Sequence, residues 1–218
     1  FKKGLHLLLH EPKSFFLKLI RRNKKHTMVI HDVTNVTKAI SDDSQIYKPM
    51  PFIVGCGRSG TTLLRLLLDA HPDMAIPTET MWLLDVIEVM QKKPANLSAL
   101  KKHITRSPYW PDMGVSKKEL YDIFSQHSAM NPGETLRRIY GTYALKHGAS
   151  RYGEKTLMNS VKMCEIAAVL PEAHFIHIIR DGRDVALSLR EVWFGSDQIR
   201  DLACFWVNRI RVIRQQAE

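Results

Sequence analysis

Cysteine is scarce: Cys56, Cys164 and Cys204 are the three in 218 residues, scattered and odd in number. That usage excludes a disulfide framework and fits a reducing, cytoplasmic setting. Long uncharged apolar runs are missing as well, and none approaches the ~20 residues that a membrane-spanning helix needs. There is no internal repeat and no low-complexity tract. His71, His174 and His177 have no partners at metal-ligand spacing, so they read as structural histidines and no metal is expected. Acidic residues are in deficit, 22 against 32 Lys and Arg, for a net charge of +10. The chain also starts on Phe1 rather than Met, as a fragment would.

The basic surplus is unevenly spread. Residues 1–26 hold eight cations (Lys2, Lys3, Lys13, Lys18, Arg21, Arg22, Lys24, Lys25) against Glu11 alone, a local +7 of the total +10. The remainder is nearly balanced, so the basic character gives no reason to expect nucleic acid. Leu5, Leu8, Leu9, Phe15, Phe16, Leu19 and Ile20 share that segment, broken near Pro12. One reading is a peripheral membrane contact through residues 1–26; the other is an arm docked on its own domain or on a partner. Residues 27–49 read as a connector with little periodicity.

What is present in strength is an alternation of strand and helix patterns. Pro51–Val54 is a short apolar run ending in glycines, as in a buried parallel strand. "TTLLRLLLDAHPD" has helical spacing with a stop at Pro72. "TETMWLLDVIEVMQKK" reads as a second helix, capped by Thr78 or Thr80. Residues 93–150 are short helical stretches punctuated by "KKPANLS", "RSPYWPDMG" and "MNPGE". "SRYGEKT" is strand-like and precedes a helical run from about Asn159 to Leu170. His174–Ile179 then repeats the first pattern, an apolar run, a polar turn and a helix from about Asp184. Strands separated by helices imply an α/β fold with a parallel sheet.

Two turns carry the chemistry. In "IVGCGRSGTT", residues 53–62, Gly55 and Gly60 keep the spacing of a phosphate loop, and Thr62 keeps its hydroxyl. Thr61, however, stands where a triphosphate loop carries lysine, and the nearest cation is Arg58. A helix start after a glycine-rich turn offers unpaired N–H groups and a favourable dipole to an anion. In the second turn Arg180 ends a strand and Ser188 lies two turns into the next helix. That makes a second anion site on the strand edge where α/β sheets bind ligands. The plainer alternative is mutual neutralisation of Arg180, Asp181, Arg183 and Asp184 at a surface turn. Two anion sites at two strand ends suit a ligand with two separated phosphates.

"PFIVGCGRSGTTLLRLLLDAHPD" together with "FIHIIRDGRDVALS" resembles the sulfotransferases that use 3′-phosphoadenosine 5′-phosphosulfate, in the branch of the bacterial and protein-tyrosine enzymes. The resemblance covers roughly residues 50–90 and 150–195. It implies a P-loop NTPase-like three-layer sandwich with a central parallel sheet. It divides the chain into an arm and connector, 1–48, and a transfer domain, 49–218, with 80–150 as a helical acceptor-side insertion. Gly57, Arg58, Ser59, Gly60, Thr61 and Thr62 would meet the 5′-phosphosulfate, and Arg180 and Ser188 the 3′-phosphate. Glu79 would be the general base for an acceptor hydroxyl, with Arg58 and Lys155 of "GEKT" stabilising the leaving group. The co-substrate has no γ-phosphate, which accounts for the missing lysine, and no metal is implied.

The residues alone leave other readings open. Glu79 suits a first-turn position favoured by the helix dipole, and Lys155 a solvated surface site. The chain as a whole also fits a P-loop kinase or nucleotidase, or a non-catalytic interaction protein on a nucleotide fold. The family adds a further Gly/Lys-rich segment after the second loop, and "FWVNRIRVIRQQAE" has none, so the sequence reads as C-terminally incomplete. The acceptor pocket is the least patterned part.

Overall fold

The computed structural model describes residues 29–32, 47–92, 95–125, 131–192 and 195–217. The basic segment 1–26, with both readings of it, lies outside these residues.

Strand β2 (Met50–Gly55) is buried along its whole length. It runs parallel to β5 (Ala173–Ile179), pairing Phe52 with Phe175 and Ile53 with Ile176. Because side chains alternate across a strand, the two faces bury different sets. Phe52, Val54 and Phe175 join the larger core, while Ile53 and Ile178 pack with Leu64 and Leu68 of α1 (Thr61–Asp69). The larger core is closed by α2 (Leu83–Gln91), α3 (Leu97–Arg106), α4 (Lys117–Ser125), α5 (Pro132–Lys146) and α6 (Met163–Val169). A third cluster lies between α7 (Gly182–Arg190) and α8 (Ile199–Ala217), around Cys56, Val185, Leu189, Leu202 and Ile210. Helices therefore cover both faces of the parallel pair, the α/β arrangement expected.

A second parallel ladder joins β3 (Met74–Ala75) to β4 (Arg151–Tyr152). It is coupled to β2 by a bridge between Phe52 and Glu154. Glu154 donates its N–H to the Pro51 carbonyl at 2.8 Å and accepts from Ile53 N–H at 2.9 Å.

Helices α2–α5 occupy the region read as an insertion, and their spacing explains them. In α5 the buried residues Leu136, Ile139, Tyr140, Tyr143 and Ala144 follow the 3.6-residue period. The punctuating asparagines are caps: Asn96 accepts from Ala99 N–H at 3.0 Å, and Asn131 from Glu134 N–H at 2.8 Å.

Two local expectations need correction. The stretch read as a connector contributes β1 (Val29–Asp32), antiparallel on the free side of β5, so the sheet is not wholly parallel. A four-residue edge strand is too short for its alternation to stand out. The helix expected over Asn159–Leu170 is a 3₁₀ turn (Leu157–Val161) followed by α6, separated by Lys162 with φ −136° and ψ 31°.

Candidate active site

The first glycine turn begins where β2 leaves the sheet. Arg58 has φ 69°, and among the described residues it is the one non-glycine with positive φ. Gly60 follows at φ 100° as the N-cap of α1, a conformation that costs glycine little. With no side-chain cap and no acidic residue in its first turn, α1 directs an uncompensated positive end at the turn. Ser59 is buried, and its Oγ has no partner within the described protein. Thr61 is buried beneath the turn, whereas Thr62 is exposed. An orphaned hydroxyl beside an uncapped helix start fits an anion of phosphate type. Cys56, just before the turn, is a different matter: burial pushes its thiol up to about 11, opposed by Arg209. It is a packing residue, neutral at ordinary pH.

The second turn meets the first directly. Arg58 donates from Nε to Ser188 Oγ at 2.9 Å, and Arg180 donates from Nη1 to the Arg58 carbonyl at 3.1 Å. Arg180 also lies 3.5 Å from Asp184, while Asp181 pairs with Arg183 at 2.6 Å. Part of the mutual neutralisation therefore exists, yet Arg180 is aimed at the first turn as well. Arg58, assigned by resemblance to the 5′ end, has its guanidinium on Ser188, a residue assigned to the 3′ end.

Trp206 of α8 holds the second turn in place, a role with no local signal in its sequence. Its Nε1 donates to the Arg180 carbonyl at 3.1 Å. A Cβ on Gly182 would lie 2.9 Å from its ring, so the glycine is there because the indole is.

Glu79 and Lys155 face each other. Lys155 Nζ donates to Glu79 Oε1 at 2.7 Å, with side-chain exposures of 6% for the lysine and 25% for the glutamate. Lys155 is therefore no solvated surface lysine. Nor does Glu79 sit in a first helical turn: α2 starts at Leu83, and its first-turn acid is Asp85. Neither threonine caps that helix, whose N-cap is Trp82 with no side-chain cap bond. Thr78 bonds Asp112 at 2.7 Å, and Thr80 is buried. The Glu79 segment is brought back by α1, where Asp69 accepts from Ile76 N–H at 2.8 Å and Arg65 donates to the Ile76 carbonyl at 2.9 Å.

Beneath the pair lies a buried polar cluster that the sequence reading missed. Glu154 Oε1 accepts from the hydroxyls of Thr80 at 2.7 Å and Thr156 at 2.5 Å. Its Oε2 accepts from Thr156 N–H at 3.0 Å and Asn159 Nδ2 at 2.7 Å. Burial holds the Glu154 carboxyl above its ordinary value, an effect that those four donors offset only in part. The available signal was the acid beside Lys155 in "GEKT". Among the described residues, no group of three or more His, Cys, Asp or Glu is arranged to hold a metal ion.

Comparison with known proteins identifies a family. A family model described as "Sulfotransferase family" matches residues 49–217. The chain is 28% identical over 197 residues to the protein-tyrosine sulfotransferase of Drosophila melanogaster, covering 84% of this chain and 36% of that protein. It is 26% identical over 162 residues to the nodulation protein NoeE of Sinorhizobium fredii, covering 69% and 34%. It thus spans about a third of the length of each. A solved sulfotransferase domain from the curacin biosynthetic pathway aligns over 78% of this chain and 62% of that one, with a TM-score of 0.48 and 17% identity. With the family model matched over most of its length, the chain belongs to the sulfotransferase family.

Proposed function

We propose that the chain moves a sulfuryl group from 3′-phosphoadenosine 5′-phosphosulfate to an acceptor hydroxyl. The observation that carries this is the meeting of the two turns, Arg58 on Ser188 at 2.9 Å and Arg180 on the Arg58 carbonyl at 3.1 Å. One nucleotide with phosphates at both ends can engage both turns. The α1 start, Ser59 Oγ, Thr61 and Thr62 receive the 5′ group; Arg180 and Ser188 receive the 3′-phosphate, with Arg58 reaching either. The acceptor oxygen attacks sulfur, the bond from sulfur to the 5′-phosphate oxygen breaks, and the acceptor proton passes to Glu79. Lys155 and Arg58 offset the charge that builds on the departing phosphate. Residues 49–218 form the transfer domain in this reading, and α2–α5 wall the acceptor side. Several relatives are named protein-tyrosine sulfotransferases, so a tyrosyl hydroxyl in a peptide is the first acceptor class to assay, followed by carbohydrate hydroxyls.

Calorimetry tests the donor. The expected result is binding of 3′-phosphoadenosine 5′-phosphate without magnesium, weakened by Arg180→Ala; preference for ATP with magnesium rejects the reading in favour of a kinase. For the base, Glu79→Gln keeps a hydrogen-bond partner for Lys155 and leaves bisphosphate affinity intact. Turnover falls by about 10²-fold or more, the scale of a lost general base.

A further inference from the structure

Glu154 is a buried carboxyl that the reaction above does not use, yet it touches three parts of the site. Through its backbone it is bonded on both sides to β2, the strand that delivers the first glycine turn. Through its side chain it holds Thr80, the neighbour of Glu79, and Thr156, the neighbour of Lys155. Thr80 and Thr156 are also joined directly, Thr80 N–H donating to Thr156 Oγ1 at 2.7 Å. With the Thr80 proton given to the carboxylate, the Tyr140 hydroxyl donates to Thr80 Oγ1 at 2.6 Å, bringing α5 into the cluster. Each carboxylate oxygen receives two donors, a full complement for a buried acid.

We propose that Glu154 is a positioning residue, clamping the Glu79 and Lys155 segments to β2 so that base and cation stand at a set separation beside the phosphate turn. The proposal rests on the sulfuryl-transfer reading for its catalytic meaning, although the clamp itself is a matter of geometry. A buried acid that only filled space would fix one element; this one fixes residues 51, 53, 80, 156 and 159 together.

Glu154→Gln tests the clamp on the full chain. The carboxamide oxygen still accepts from Thr156 N–H and Asn159, but its NH₂ then faces two hydroxyls that must give up their present donor roles. Thr80→Val removes one arm at nearly constant volume and serves as a second variant, decisive if the first does not fold. Three quantities are measured: kcat with donor KM, bisphosphate affinity, and the acylation rate of Lys155 followed by peptide mass spectrometry. In both variants kcat falls by about 10-fold to 10²-fold with donor KM and bisphosphate affinity held within about twofold, the pattern of misplaced reacting groups. Lys155 acylation rises to the level of Glu79→Gln, because the ion pair is released. Unchanged kcat together with unchanged acylation in the folded variants overturns the proposal. If the wild-type chain transfers no sulfuryl group, the acylation rates still decide the clamp, and the transfer reading fails alone.

Discussion

Arg58 carries a backbone cost within the first glycine turn. A non-glycine residue at φ 69° carries a penalty of about 1 kcal/mol or more. Nothing in the packing demands arginine there, since the residue is exposed and its main side-chain partner is the Ser188 hydroxyl. What the strained conformation does is expose the Arg58 carbonyl to Arg180 while sending the guanidinium toward α7. Arg58→Gly separates strain from function. Stability is retained or rises by up to about 1 kcal/mol in urea unfolding, because glycine accepts that conformation. Bisphosphate affinity falls by about tenfold or more through loss of a charge-assisted contact. Loss of stability with intact affinity would reverse the assignment of Arg58 to the site.

At the scale of elements, the turn between β5 and α7 is held from behind by α8. Asp181 caps α7 by accepting from Arg183 N–H at 2.9 Å, and Trp206 fixes the Arg180 carbonyl. Gly182 is the point where this packing tolerates no side chain. Gly182→Ala forces the indole or the turn to shift, at about 1–3 kcal/mol of overpacking. Because the strain falls on the residues around Arg180, bisphosphate binding weakens as well; calorimetry and thermal unfolding on one sample measure both. A fully stable variant with unaltered affinity would show that Trp206 does not control the turn.

At the scale of the molecule, the helical block and the sheet are joined by a buried ion pair. Arg137 of α5 donates to both oxygens of Glu172, at 2.7 and 2.9 Å, with side-chain exposures of 11% and 5%. Tyr47 lies against the guanidinium, its ring centroid 3.8 Å away. The Glu172 carbonyl meanwhile accepts from Met50 N–H at 2.9 Å and His174 Nδ1 at 2.9 Å, so one residue ties α5 to the starts of β2 and β5. Glu172→Gln strips the charge from one partner and leaves a buried cation. The expected loss is about 3 kcal/mol, read as a lower urea midpoint at unchanged slope. Bisphosphate affinity of the folded fraction is expected to be preserved, because the pair lies at the opposite end of β2 and β5 from the two turns. Among the described residues no helix is long and apolar enough to cross a membrane.

The sequence by itself made the strand–turn–helix units and the glycine turns legible, while the roles of Glu79, Arg58 and Lys155 came from resemblance. Apolar period and glycine spacing report on burial and backbone freedom within a few neighbours. Pro51–Val54, the helix after Thr61 and the helix after the Arg180 turn were legible on those grounds. It could not say what each threonine hydroxyl would do: Thr80 suits a helix cap and a buried acid equally well until the neighbours are placed. It took the folded arrangement to bring Arg58 to Ser188 across 130 positions and Lys155 to Glu79 across 76, and to bond Glu154 to Thr80 and Thr156, the neighbours of that second pair. Such pairings follow from how whole elements stack, and no local pattern encodes which distant side chain will arrive.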